Sequence, residues 1–107
     1  MAGSGAIRST LDDMIIFMNE QLGSKNKLTK AIHLTHQITF ANDDQTMALG
    51  WRIKKVGNKE IFHHYGGTGG FRSFVAFYDK SQKAIVILSN AALDVTAIGF
   101  SIFENCL

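Results

Sequence analysis

From Met47 to Leu88 the chain passes between strand-like patterns through turns that are too short to hold a helix. Met47, Leu49, Trp51 and Ile53 alternate with Ala48, Gly50, Arg52 and Lys54, which is the period-two signature of a half-buried strand over 47–54. Gly57-Asn58 forms a turn, and residues from about 60 to 65 return as the second arm of a hairpin. After a glycine-rich stretch at 66–70, Phe71 to Tyr78 is aromatic and β-branched. Asp79-Lys80-Ser81-Gln82 turns the chain, and Ala84 to Leu88 is a continuous apolar strand. Strands joined without a crossover helix pair antiparallel, so the expected fold class is α+β with an antiparallel sheet of about four strands.

Helices flank this block on both sides. Ser9-Thr10 followed by Asp12-Asp13 is a helix start: a hydroxyl caps free amides, and carboxylates in the first turn complement the dipole. Leu11, Met14, Ile15, Met18 and Leu22 follow at helical spacing, and Gly23 supplies a left-handed closing residue. A shorter helix is predicted from about Lys27 to Thr35, then an irregular loop from His36 to Thr46 around Asn42-Asp43-Asp44. Asp94 caps a last helix over about 95–106, with Ala97, Ile98, Ser101 and Ile102 expected on its buried side.

A chain of 107 residues has room for one core. With 46% hydrophobic and 19% charged residues it has the composition of a globular protein, not a disordered one. The net charge of +2 comes from scattered lysines and makes no nucleic-acid footprint, so no nucleic-acid partner is expected. Cys106 is the single cysteine, which excludes an internal disulfide and a cysteine-based zinc site. No run reaches the 18 apolar residues of a membrane span, and the opening residues lack the pattern of a signal peptide, so any export signal of a parent protein is expected upstream.

The most unusual string is His63-His64-Tyr65-Gly66-Gly67-Thr68-Gly69-Gly70-Phe71-Arg72-Ser73. Glycines beside a strand allow positive φ and let a ligand or another backbone come close, so this is either a binding edge or a loose turn. It lacks the Gly-Lys-Ser/Thr ending of a phosphate loop and precedes a strand instead of a helix. The dinucleotide pattern also fails, because its third glycine would be Arg72. His33, His36, His63 and His64 have no carboxylate at a recognised ligand spacing, and neighbours on a strand point to opposite faces, so no metal and no cofactor are expected.

The string His64-Tyr65-Gly66-Gly67-Thr68-Gly69-Gly70-Phe71 resembles the third conserved element of class C β-lactamases and their relatives, where Lys-Thr-Gly or His-x-Gly leads into a glycine-rich turn. Three further segments agree in order. Gly5 to Met14 is similar to the family's glycine-led helix entry, Ala48-Leu49-Gly50-Trp51 to its Gly-Leu-Gly-Trp strand, and Phe74 through Asn90 to its paired strands ending in Asn. The chain therefore resembles the C-terminal segment of a serine β-lactamase or penicillin-binding-protein-like hydrolase over nearly its whole length.

That resemblance implies a serine acylated by an amide, ester or peptide substrate and released by water. It implies that Gly67 donates an oxyanion-hole N–H, that His64 organises the proton network or binds an anionic group, and that Tyr65, Gly66 and Thr68 line the substrate. Tyr65 departs from the Thr or Ser usual in β-lactamases, and the His-x-Gly form is closer to the esterase and D-amino-acid peptidase branches. The family's Ser-x-x-Lys and Tyr-x-Asn elements normally lie upstream of all the matched segments. Ser24 to Lys27 satisfies Ser-x-x-Lys by letter only, because it follows the helix-ending Gly23.

The expected role is one wall of an active-site cleft, inactive alone. The alternative is a non-catalytic module that binds peptides or cell-wall fragments. Expected partners are the N-terminal part of the parent protein and, for the isolated chain, a second copy. The family suggests a periplasmic or extracellular parent.

Overall fold

The structure is a computed structural model and describes residues 3–23 and 25–107. Ser24, and with it the start of the Ser-x-x-Lys match, lies outside the described residues.

Helix α1 spans Leu11–Gln21 and begins where the sequence predicts: the Thr10 hydroxyl accepts from the Asp13 N–H at 3.1 Å. Gly23 follows at φ +112, a conformation that lets the chain leave the helix sharply. Helix α2 spans Thr29–Thr35 and is shorter than predicted, because Asn26 takes the two preceding residues into a turn by accepting from the Leu28 N–H at 2.8 Å.

Six strands follow, two more than expected: β1 Ile38–Ala41, β2 Thr46–Ala48, β3 Trp51–Val56, β4 Lys59–Thr68, β5 Phe71–Tyr78 and β6 Lys83–Ser89. They form one antiparallel sheet in chain order, β1-β2-β3-β4-β5-β6. Helix α3, Val95–Asn105, closes the chain and is capped as predicted, the Asp94 carboxylate accepting from the Thr96 and Ala97 N–H groups at 3.2 and 3.4 Å. The class is α+β, with the sheet flanked by N-terminal and C-terminal helices.

Three expectations change. The predicted loop from His36 to Thr46 contains β1, whose residues are all exposed and therefore carry no inside–outside alternation to read. The predicted strand 47–54 is two strands, because Gly50 at φ +79 turns the chain between Ala48 and Trp51. Ala48, Trp51 and Ile53 are buried, while Leu49 sits exposed in the turn. Helix α3 buries Val95, Gly99 and Phe103 and leaves Ile98 and Ile102 exposed, a rotation away from the predicted face.

The sheet separates two cores. Met18 of α1 packs with Ala48, Trp51, Ile53 and Phe77 on one face, and Val95 and Phe103 of α3 pack with Ile61, Phe74 and Ala76 on the other. The alternation along β5 accounts for this: Phe77 points to the α1 side, Phe74 and Ala76 to the α3 side. At about 25 cal/mol per Å² of apolar surface, fully buried Phe74 and Phe77 are among the largest single contributions to each core. The predicted α1 stripe is only partly used, since Leu11 and Ile15 remain half exposed beside β6.

Candidate functional site

The glycine-rich string becomes mostly strand. β4 runs on through Gly66, Gly67 and Thr68, and only Gly69-Gly70 form the turn into β5. Gly69 has φ +56 and stands first in that two-residue loop, the position where a tight hairpin requires a left-handed residue.

Pair alternation then fixes which amides are free. Thr68↔Phe71 closes the two-residue loop as a hydrogen-bonded pair, so Gly67↔Arg72 is a pair whose amides face away from β5. The same count from the other hairpin, closed by Val56↔Lys59, makes Arg52↔His63 a hydrogen-bonded pair of β3 and β4. The two counts agree: Lys59, Ile61 and His63 bond to β3, and Tyr65 and Gly67 aim their N–H and C=O groups in the same direction. β3 ends before reaching them, since its pairing with β4 stops at Arg52↔His63. Residues 64–68 therefore offer an open strand edge.

Side chains along this edge divide between the faces of the sheet. His63 rests on the α3 side, its ring 4.8 Å from that of Phe100. Tyr65 is on the same side, under the Arg52 guanidinium at 5.3 Å. His64 is exposed on the α1 side, where it lines two cavities that also share Val75, its register partner. One, of about 390 Å³, is walled by Gly66, Gly67, Thr68 and Ser73; the other, of about 510 Å³, by Trp51, Leu49 and α2.

A side chain at 66 or 67 would crowd its register partner. A Cβ on Gly66 would lie 3.0 Å from the Ser73 Oγ, and one on Gly67 would lie 3.1 Å from the Arg72 side chain. Arg72 crosses over Gly67 on the α3 side and is held there by donating to the carbonyls of Phe71 at 2.8 Å and Gly69 at 3.3 Å. At the other end of the cleft Gly5 packs against the side chain of Thr68, with 3.5 Å between its notional Cβ and Thr68 Cβ. The structure thus brings His64, Gly66, Gly67 and Thr68 to one edge; Tyr65 also borders the smaller cavity, with its ring beneath Arg52.

Sequence reasoning passed over Arg72 and Ser73 as contributors to this edge. The available signal was register: two-residue hairpin closure puts 72 opposite 67 and 73 opposite 66. His36, expected at the start of a loop, instead has its Nε2 at 2.7 Å from the Oε1 of buried Gln21 within a ring cluster of Trp51, Phe62 and Phe77. Burial and then the neighbouring His33 hold the His36 imidazole below its ordinary pKa. His63 is pushed down to about 4, by burial first and then by the charges of Arg52, His64 and Lys54. Its Nδ1 has no hydrogen-bond partner among the described residues, consistent with a neutral ring.

A short six-strand meander with an open, glycine-lined edge is shared by many folds, so family membership needs a comparison over the whole chain. The β-lactamase family model matches residues 1–97. The chain belongs to the β-lactamase family. No curated protein matches it significantly. In this β-lactamase-family chain the matched region takes in α1, the whole sheet and the start of α3, and hence every residue of the open edge.

Proposed function

We propose that this β-lactamase-family chain supplies one wall of the active-site cleft of a serine acyl hydrolase, and that it is inactive alone. The observation that carries this reading is the overhang of β4 past β3, which leaves the Gly67 N–H without a ladder partner among the described residues, at a cleft beside His64.

In the proposed reaction a serine Oγ from another polypeptide segment attacks the carbonyl carbon of an ester, amide or peptide. The new Oγ–C bond forms while the carbonyl electron pair moves to oxygen, and the Gly67 N–H donates to that oxyanion. A fixed amide stabilises charge that develops only in the transition state, typically by about 3–4 kcal/mol. The bond to the leaving group then breaks, and that group departs with a proton. His64 lies on the same face as the cleft and is suited to relay this proton, since an imidazole donates and accepts near neutral pH. Water then attacks the acyl–serine ester and frees the acid. Gly66 allows close approach of the substrate, and the Tyr65 and Thr68 backbone frames it.

The proposed source of the serine is the N-terminal part of a parent protein, added as a strand to the outer edge of β6. Hairpin alternation turns the amides of residues 84, 86 and 88 outward there, and Ala84 to Leu88 contains no charge. Leu11 and Ile15 of α1 and Ile102 of α3 flank a groove of about 800 Å³ along this edge.

The test is to add a polypeptide carrying the family's Ser-x-x-Lys and Tyr-x-Asn elements and follow hydrolysis of a 4-nitrophenyl ester. Activity is expected only in the mixture, and the chain alone should form no covalent adduct with a fluorescent penicillin by mass spectrometry. A stable, well-folded complex with no turnover on esters, amides or peptides would favour a non-catalytic peptide- or cell-wall-binding module.

A further inference from the structure

The two cavities beside His64 have linings of a single character. Among the described residues, neither is lined by an arginine, lysine, aspartate or glutamate. The larger is walled by Phe17, Leu28, Ile32, Leu49 and Trp51, and the smaller meets the reacting edge at Gly66 and Gly67. The three cations nearest the cleft, Arg52, Lys54 and Arg72, are on the opposite face of the sheet, and each is already engaged, while Lys55 lies on the cleft's face but lines neither cavity. Lys54 pairs with Glu104 at 2.8 Å and lies 4.2 Å from the Phe100 ring centroid. Arg52 covers the Tyr65 ring, and Arg72 is fixed to the carbonyls of Phe71 and Gly69.

A carboxylate entering the His64 cleft would give up water without gaining an arginine or lysine, and an ammonium group would find no acid. An apolar group would lose nothing comparable and would cover Leu28 and Leu49, both exposed. Resting on the acyl-hydrolase reading, we infer that the cleft selects uncharged esters or amides with an apolar acyl group. That group would sit in the larger cavity against Trp51 and Leu49, with the carbonyl at Gly67, and the cleft would discriminate against substrates bearing a free carboxylate near the scissile bond.

The test uses the chain itself, isotopically labelled and titrated in separate samples with ethyl phenylacetate and with the phenylacetate ion, reading amide shifts by NMR. The ester should move the amides of Gly66, Gly67 and Thr68 together with Leu49 and the Trp51 indole. Its affinity should exceed that of the anion by at least about tenfold, equivalent to roughly 1.4 kcal/mol. Leu49→Lys, at an exposed turn position that tolerates the change, should weaken the ester and strengthen the anion. If the anion bound the same amides as tightly as the ester, or Leu49→Lys left their ratio unchanged, the inference would be overturned and the cleft reading would stand. If neither ligand moved residues 64–68 and shifts appeared only along β6, the cleft reading itself would fall, and the inference with it.

Discussion

Gly99 of α3 lies flat against the ring of Phe74, so close that a Cβ at position 99 would come within 2.4 Å of the ring's Cδ2. Phe74 is fully buried at the centre of the α3-side core and has no space to retreat. Gly99→Ala improves helix propensity by up to about 1 kcal/mol, but overpacking a filled core costs about 1–3 kcal/mol. The expected net result is destabilisation, seen as a lower urea midpoint at unchanged m-value. Phe74→Leu in the same chain should return part of the loss, as a coupled pair requires.

His63 gives the stability a pH dependence whose sign is set by its depressed pKa of about 4 in the folded chain, against the ordinary 6.5. The unfolded chain binds a proton more readily than the folded one between these values. Stability is therefore full above about pH 6.5 and falls as the pH is lowered toward about 4. His36, also shifted downward, adds in the same direction. Urea midpoints at pH 7 and pH 5 should differ, and His63→Leu should shrink the difference. An unchanged difference in that variant would assign the effect to other groups.

Gly67 separates the loss of a donor from the loss of space. Gly67→Pro removes the outward N–H without taking a ladder bond, as an edge position allows, whereas Gly67→Ala keeps the N–H. Both put the same Cβ against Arg72. In the reconstituted hydrolase, proline should lower kcat by at least about a hundredfold. Alanine should cost far less. Equal losses would mean that displacement of Arg72, not the missing donor, limits the reaction.

The outer edge of β6 predicts the solution behaviour of the isolated chain. Its outward amides and uncharged apolar run favour association, which sedimentation velocity across a concentration series should reveal. Ala84 is exposed with its amide turned outward, so Ala84→Pro should leave the fold intact and shift the distribution toward monomer. A wild-type chain that stays monomeric at every concentration would overturn the edge assignment.

Punctuation made the helix ends legible in the sequence: Thr10, Gly23 and Asp94 each act through a short local bond or dihedral that needs no tertiary partner. Strand pairing from Trp51 onward was legible because β3, β4 and β5 are buried on one side or both. β1 was not, since no residue in it is buried. The buried face of α3 was hidden by Gly99, a residue that hydropathy patterns do not count as core. At the site, the motif located the edge, but only strand register reveals that Ser73 and Arg72 are the side chains that crowd positions 66 and 67.

Because each strand pairs with its neighbour in the chain, the sheet can assemble by successive short loop closures, beginning from the long β4–β5 hairpin and zipping outward. Docking of α1 onto β6 joins residues more than half the chain apart and leaves Leu11 and Ile15 half exposed. With few of its apolar residues fully buried, α1 is expected to be held less firmly than the central strands. Native-state hydrogen exchange should therefore find the α1 amides opening at a lower free energy than those of β4 and β5.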